Sequence, residues 1–483
     1  MCRANNHVTR NGALLGIVAV YLLIGALYAA NTPAWQAPDE PAHYNYVRFV
    51  AENGRFPVLH YGDYPHGYLE HIKAARFPPD MSLEPLRYEF WQPPLYYLLA
   101  APVYRLFDGA LIPLRLLSLL LGAGVVVMAY AVALAMRPGD AGLALGTSAF
   151  VAFVPMHLTV MASVNNDSLA ELLLAGVMLL LIRWTRRPAG QGGRLAYLAV
   201  TGLLLGLALV TKATVYLAIP LALSALALAE RRPAALARQG LALFAPALAL
   251  AIPWYLRNVA VYGWPDLLGM RRHDAVVVGQ LRTADYLASA GWATYLKDLL
   301  VTSFHSFWGQ FGWMAVPMDG RIYLALGLLS ALMAVGVLSW KVGRLEDWKI
   351  GGLVALWLLF TVLIYLYYNL WLVQFQGRYL FPALIPIGWL GTLGLREILS
   401  RRRAWLGAAV CAAVGVVIGL ASLVAGDLDT PGVLLAGGAA LALVARRWLP
   451  ARLDGWLPAI PLAGLAGLAV YSLFVFIVPY LRA

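Results

Sequence analysis

The sequence predicts an all-α polytopic membrane protein. Of its 483 residues, 61% are hydrophobic and only 12% are charged, and the mean hydropathy is +0.71. In soluble domains the apolar share is lower, at about half. Hydrophobic stretches of about 20 residues, the length that crosses a hydrocarbon layer of ~30 Å, recur from near residue 13 to near residue 480. These observations exclude an ordinary soluble globular protein.

Thirteen hydrophobic stretches are predicted to be transmembrane helices. They are 13–30, 111–136, 141–160, 168–185, 195–211, 214–229, 240–256, 321–339, 351–371, 379–398, 405–424, 431–445 and 457–480. The first stretch has no small-residue cleavage site ahead of a soluble domain, and further spans follow it. We therefore expect a retained helix rather than a removed signal peptide.

Basic residues at the short connections predict the orientation. They fall on one side of the membrane if the spans are as above, and they include Arg186, Arg187, Arg231, Arg232, Lys341, Arg344, Arg401, Arg402, Arg446 and Arg447. By the positive-inside rule that side is the cytoplasm. The arrangement requires that 93–107 does not cross, so we expect an interfacial or re-entrant helix there. The net charge of +12 is then explained by anionic lipid, and no nucleic-acid partner is expected.

Two connections on the opposite, extracytoplasmic side, 31–110 and 257–320, are far longer than a helix hairpin needs. Loops longer than about 12–15 residues are usually functional or disordered. These loops are too aromatic and apolar to be disordered. Most of their aromatic residues are typical of an interfacial belt, and a minority could stack on sugars or prenyl chains. We expect interfacial helices here, and any chemistry on the outer face.

The pair Asp39-Glu40 directly follows the first span, where two adjacent acids are costly unless they have a function or face water. The pattern predicts a short helix over 40–53, with Pro41 in its first turn and Asn53-Gly54 at its end. Asp39 could then be only an N-cap. Two acids between prolines exceed what a cap needs, so we favour a catalytic pair. His43, one turn on, is expected to hydrogen-bond Asp39 and orient it.

Two further groups of polar residues mark the outer ends of spans. Asn166 and Asp167 could hold substrate hydroxyls, although Ser168-x-x-Glu171 also reads as a capping box. Lys212, Arg257 and Arg378 are cations on the side that the positive-inside rule disfavours, which suggests an anionic ligand such as a phosphate. Lys212 could instead simply extend to the interface. His60, His66 and His71 match no compact metal-ligand spacing, so no metal is expected.

These residues together resemble the GT-C superfamily of polytopic glycosyltransferases, including bacterial aminoarabinose-to-lipid A transferases and protein O-mannosyltransferases. The matching segments are Pro38-Asp39-Glu40-Pro41-Ala42-His43, Gln92-Pro93-Pro94-Leu95-Tyr96-Tyr97, Asn166-Asp167, Thr211-Lys212, Trp254-Tyr255-Leu256-Arg257-Asn258 and Gln376-Gly377-Arg378-Tyr379-Leu380. The resemblance covers about residues 1–400, which we expect to form the catalytic module, and leaves 401–483 as C-terminal scaffold helices. It implies a catalytic base at Asp39, or at Glu40 if the register differs.

The resemblance implies transfer of a sugar from a polyprenyl-phosphate donor to a hydroxyl of an envelope lipid, glycan or protein, at the outer face of the bacterial cytoplasmic membrane. Because phosphate leaves without a general acid, one base and cations on the phosphate suffice, and in-line attack inverts the anomeric carbon. No cofactor is required, and a divalent metal stays an open alternative. The expected substrate-binding residues are His43, Arg48, Asn166, Asp167, Lys212, Arg257, Gln376, Arg378 and Tyr379. A lipid-linked glycan ligase or polymerase and a flippase of an anionic lipid-linked sugar are the rival functions.

Overall fold

The computed structural model describes residues 2–188, 192–340 and 347–482, so that Lys341 and Arg344 lie outside the described residues. The first ten α-helices are α1 Cys2–Asn31, α2 Glu40–Asn53, α3 His66–Ala74, α4 Leu95–Leu106, α5 Leu111–Met136, α6 Ala141–Phe153, α7 Pro155–Met161, α8 Asp167–Thr185, α9 Arg194–Leu209 and α10 Ala218–Ala229. The others are α11 Pro233–Tyr262, α12 Met270–Val276, α13 Thr283–Trp308, α14 Gly320–Ser339, α15 Trp348–Asn369, α16 Leu384–Ile398, α17 Ala404–Ala425, α18 Thr430–Ala445, α19 Ala459–Ser472 and α20 Val478–Leu481.

Short elements connect these helices. The short 3-10 helices are Ala213–Leu217, Gly377–Ala383, Arg446–Trp448 and Ala451–Leu453. A π-helical turn, Leu473–Ile477, joins α19 to α20. Two strands, β1 Gln310–Phe311 and β2 Val316–Pro317, pair antiparallel with Phe311 opposite Val316. The predicted all-α polytopic class is confirmed.

The number of membrane spans differs from the prediction. Within the described residues, eight helices are long and apolar enough to cross a membrane, or nine if α6 and α7 count as one broken span. These two helices meet at a bend of 67°, because Pro155 disfavours a helical conformation at Val154. Four predicted spans form the shorter helices α9, α10, α16 and α18. All thirteen stretches contain helix, but thirteen crossings are not confirmed.

The long helices pack closely through glycine. A Cβ atom at Gly336 on α14 would lie 2.0 Å from the carbonyl oxygen of Gly394 on α16, and a Cβ at Gly394 would lie 2.0 Å from that of Met333. A Cβ at Gly202 on α9 would likewise lie 2.0 Å from the carbonyl of Leu243 on α11. Inside a membrane no hydrophobic force drives helices together, so they associate through close packing. Small residues at such crossings let the backbones approach closely.

The first long connection folds into α2, α3 and α4. Helix α2 spans the predicted residues 40–53 and ends at Gly54, whose φ of 63° is left-handed. Helix α4, in the predicted non-crossing segment 93–107, has 12 residues, a length of about 18 Å that is too short to cross the hydrocarbon layer. It packs against α2 and α5.

The C-terminal helices do not form one separate unit. Leu462, Leu465 and Ala469 of α19 lie in the main core with α1 and α6. The hydroxyl of Tyr28 on α1 donates to the carbonyl of Ala469 at 2.6 Å. By contrast, α17 and α18 form a small cluster of their own against α14. A boundary at residue 400 therefore does not describe the packing of α19.

Candidate active site

A cavity of about 270 Å³ lies where the first long connection meets the segment after α15. Asp39 and Arg378 both line it, and an Nη of Arg378 donates to Oδ2 of Asp39 at 2.8 Å. The hydroxyl of Tyr88 donates to the other oxygen, Oδ1, at 3.1 Å. The Asp39 side chain is 29% exposed and that of Arg378 is 12% exposed. A carboxylate with a bound guanidinium thus faces a space that a ligand can enter.

Asp39 occupies the N-cap position of α2, but its side chain does not cap the helix. Its φ of 67° is left-handed and its side chain makes no capping hydrogen bond to α2. A non-glycine residue in this region costs free energy and is held there by its surroundings, which is common at functional sites. The alternative that Asp39 serves only as an N-cap is therefore excluded by its geometry.

The charge on Asp39 is set by two opposing effects. Burial favours the neutral form, but the charge and hydrogen bond of Arg378, together with the other basic groups nearby, outweigh it and hold the pKa of Asp39 below its ordinary value. Burial of Arg378 also disfavours its charged form. The negative charge of Asp39 opposes this effect, and the pKa of Arg378 is raised. The pair is therefore fully ionised at neutral pH.

The local structure after α15 presents Arg378 to the cavity. Its Nε donates to Oε1 of Gln376 at 2.8 Å, and its guanidinium lies 5.5 Å from the ring centroid of Tyr379. A Cβ at Gly377 would lie 2.2 Å from the carbonyl oxygen of Ser303, so this glycine lets the turn pack against α13. Gln376 and Tyr379, both predicted to bind substrate, line the cavity.

A second ion pair joins the N-terminal end of α8 to the segment that follows α9. Nζ of Lys212 lies 2.7 Å from Oδ1 of Asp167, with side-chain exposures of 15% and 28%. The charge of Lys212 acts on Asp39, which places the two pairs in one electrostatic site. The proposed capping box is wrong, because Ser168 donates to Asn165 and Glu171 pairs with His157 instead.

The structure changes the interpretation of Glu40 and His43. Glu40 is completely buried and receives Nε and Nη2 of Arg115 at 2.8 and 2.6 Å, so it is closed to a substrate. His43 bonds Tyr97, at 2.8 Å, instead of Asp39. The backbone N–H of His43 does donate to the carbonyl oxygen of Asp39 at 3.1 Å, but the Asp39 carboxylate is bound by Tyr88 and Arg378 instead of the imidazole. Burial, followed by the charge of Lys212, lowers the pKa of His43 to about 3, so its imidazole is neutral.

Three other predicted ligand residues lie away from the described lining of the cavity. Arg48 pairs on the exposed surface with Glu52, because it lies on the outer face of α2. Arg257 contacts the first long connection, where it donates to the carbonyl of Pro57. Its guanidinium also lies over the ring of Trp254 on its own helix. Asn166 is fully buried and donates to the carbonyl of Thr211 at 3.2 Å. The three predicted cations therefore do not converge: Arg378 lines the cavity, Lys212 acts from nearby, and Arg257 does neither.

Sequence reasoning missed two acidic or basic residues that matter here. Glu89 lines the cavity and is only 9% exposed. Arg115, on α5, holds Glu40 and also donates to the carbonyls of Ala29 and Thr32. A basic residue inside a hydrophobic span is a signal that could have revealed Arg115. Glu89 has no distinguishing spacing in its loop.

The histidines of the first long connection do not form a cluster at the cavity. His66 lines the cavity and lies 3.2 Å from the hydroxyl of Tyr64, whereas the described lining does not include His60 or His71. Within the ranges that the structure describes, no group of three or more His, Cys, Asp or Glu side chains is arranged to hold a metal ion. His273 and Trp313 also line the cavity.

The fold is similar to that of two solved membrane enzymes. ArnT from Cupriavidus metallidurans bound to undecaprenyl phosphate shares 17% identity, with a TM-score of 0.57 over 96% of this chain and 78% of ArnT. The archaeal oligosaccharyltransferase AglB from Archaeoglobus fulgidus, in complex with an inhibitory peptide and a dolichol-phosphate, shares 13% identity, with a TM-score of 0.50 over 88% of this chain. The match covers 56% of AglB, so this chain spans little more than half of that enzyme's length. Both are GT-C glycosyltransferases, and the GT-C fold expected from the sequence is confirmed.

At the level of sequence, no curated protein matches the chain significantly. One protein family, described as "Predicted membrane protein (DUF2142)", matches residues 88–387, which is well over half of the 483 residues. The matched region begins after Asp39 and includes Glu89, Lys212 and Arg378. The chain therefore belongs to this family of membrane proteins.

Proposed function

We propose that this protein is an inverting glycosyltransferase that moves a sugar from a polyprenyl-phosphate donor to a hydroxyl of a cell-envelope lipid, glycan or protein. The observation that carries the proposal is the ionised Asp39–Arg378 pair at the wall of the cavity. The fold likeness to ArnT, whose structure contains undecaprenyl phosphate, supports it. By the positive-inside expectation, the cavity faces the outer side of the bacterial cytoplasmic membrane.

The charges in the site suit departure of a phosphate. Arg378 presents a planar guanidinium, which matches two phosphate oxygens at once and stays charged in a partly buried site. Lys212 adds a second positive charge nearby. As the bond between the anomeric carbon and the phosphate breaks, negative charge grows on the leaving oxygen, and fixed cations stabilise it most in the transition state. A carboxylate then needs only to remove the proton of the attacking hydroxyl.

The size of the cavity favours transfer of a single sugar over transfer of a long glycan. Its volume of about 270 Å³ lies below the usual 300–1,000 Å³ or so of small-molecule sites. Trp313 in its wall gives a sugar an aromatic side chain to contact. A ligase or polymerase would need an open groove for the glycan chain, so donors of increasing length separate it from the function proposed here.

The test is a transfer assay with purified protein in lipid nanodiscs. Labelled polyprenyl-phosphate sugars are supplied with an envelope extract, and the labelled product is identified by mass. We expect transfer by the wild-type protein and a loss of about 10²-fold or more in the Asp39→Asn variant, because the charge that holds Arg378 toward the leaving phosphate is removed. Glu84→Gln is the matched control, because Glu84 lies in the same loop on the exposed surface. Near-wild-type transfer by Asp39→Asn contradicts the assignment of the site.

If labelled lipid-linked sugar crosses a proteoliposome membrane without an acceptor product, the protein is a flippase and the proposal fails.

A further inference from the structure

Glu89 is a second acidic residue of the cavity, and it takes no part in the Asp39–Arg378 ion pair. It lies in the loop before α4, next to Tyr88, whose hydroxyl donates to Asp39. Its side chain lines the cavity and is nine-tenths buried. Its Oε2 atom is buried and has no hydrogen-bond partner in the part of the chain that the structure describes. A buried carboxylate oxygen without a hydrogen-bond donor is costly. Its presence in the folded protein therefore calls for an explanation, such as a catalytic role.

The two carboxyl groups of the cavity are driven in opposite directions. Burial, followed by the negative charge of Asp39, raises the pKa of Glu89 to about 7. Lys212 and His273 also act on Glu89 and oppose this rise. Asp39 itself is held ionised by Arg378. Pairs of carboxyl groups whose environments separate their pKa values commonly divide the acid–base and electrostatic roles.

The phenols around the cavity do not compete for the role of base. Tyr88, Tyr97 and Tyr368 also face Glu89, and burial raises the pKa of Tyr88 well above its ordinary value. A phenol therefore stays protonated at neutral pH. A general base is most effective when its pKa lies near the working pH. Among the described groups of the cavity, Glu89 meets that condition better than Asp39, whose ionised form is already stabilised by Arg378.

We propose that Glu89, rather than Asp39, accepts the proton of the acceptor hydroxyl, an inference that rests on the proposed sugar transfer. The hydroxyl proton passes to the carboxylate of Glu89 while the hydroxyl oxygen forms a bond to the anomeric carbon. The bond from that carbon to the phosphate oxygen breaks, and its electron pair leaves with the polyprenyl phosphate. Glu89 then returns the proton to water in the cavity. Asp39 is a positioning residue that holds Arg378 toward the leaving phosphate.

The first test is the pH dependence of transfer. In the wild-type protein, kcat/KM should rise with pH through an apparent pKa of about 7, because only ionised Glu89 accepts a proton. Glu89→Gln should lose about 10²-fold or more of the activity, keep its affinity for polyprenyl phosphate, and lose this rise in its residual rate. Glu84→Gln should retain both the rate and the pH profile. A wild-type rise that occurs only near the lowered pKa of Asp39, or an unchanged profile in Glu89→Gln, overturns the inference.

The second test does not depend on activity. Infrared difference spectra of the purified protein should show a protonated carboxyl C=O band that titrates near neutral pH and is missing in Glu89→Gln. Asp39→Asn removes the charge that raises the pKa of Glu89, so the same band should titrate at lower pH. Absence of such a band from the wild-type protein overturns the proposal even if Glu89→Gln fails to fold. If the wild-type protein transfers no sugar from any polyprenyl-phosphate donor, the proposed function and this inference are both refuted. If the wild-type protein transfers sugar and Glu89→Gln has the same pH profile, only the inference is refuted.

Discussion

Replacing Glu40 by Gln separates a structural role from a catalytic role for the second member of the Asp39-Glu40 pair. The carboxylate of Glu40 accepts four hydrogen bonds: two from Arg115, at 2.8 and 2.6 Å, and one each from the backbone N–H groups of Trp35 and Val164, at 3.1 Å. Both side chains of the ion pair are at most 2% exposed. Removing one partner of such a buried pair costs about 3–5 kcal/mol. We therefore expect Glu40→Gln to lower the free energy of unfolding by about this amount.

The assay compares thermal unfolding of purified variants in one detergent, with transfer measured below the melting temperature. Glu84→Gln is the control, because the exposed contact of Glu84 with Arg48, at 3.4 Å, is of a kind that contributes about 0–1 kcal/mol. Arg115→Met should destabilise like Glu40→Gln, and the double variant should be less destabilised than the sum of the two. If Glu40→Gln melts like the control yet loses transfer, Glu40 is catalytic and the structural reasoning is refuted.

Two other variants test the electrostatics of the site and the helix packing. Because the folded pKa of Asp39 is lowered by Arg378, the pair stabilises the protein above an ordinary carboxyl pKa of about 4, and this stabilisation is lost as the pH falls through the lowered value. The melting difference between the wild-type protein and Arg378→Gln should stay constant from about pH 5 to 8 and shrink in acid; a difference that grows in acid contradicts the pairing. Gly336→Ala, whose Cβ would lie 2.0 Å from the carbonyl of Gly394, should destabilise by about 1–3 kcal/mol. Thermal unfolding should show little change for Gly437→Ala, where nothing lies within 4 Å, and equal melting of the two variants argues against the close helix contact.

The helical class could be predicted because hydrophobic length and charge asymmetry are properties of the chain alone. Helix α2 was predicted with its correct bounds, since Pro41 and Asn53-Gly54 specify its ends locally. The number of crossings could not be predicted in this way. Pro155 breaks one span within otherwise continuous hydrophobic sequence, and α9 and α10 have only 16 and 12 residues.

The members of the candidate site were easier to predict than their partners. Asp39 and Arg378 each stand out as charges at the end of a span, but their pairing joins positions 339 residues apart, and only the tertiary fold determines it. Arg257 stands out for the same reason, yet it packs on a different surface. Glu89 could not be distinguished from the other acidic residues, because its unusual properties come from burial and from the charge of Asp39.

The hydrogen bond from Tyr28 to Ala469 joins residues 441 positions apart, and this has a consequence for biogenesis. Helix α1 is synthesised early and its packing surface stays incomplete until α19 has entered the bilayer. Until then, lipid or an insertion factor must cover the apolar surface of α1 and α6 on which α19 packs. The loop that carries Asp39 follows α1 directly, so α19 helps to fix the helix from which this loop starts.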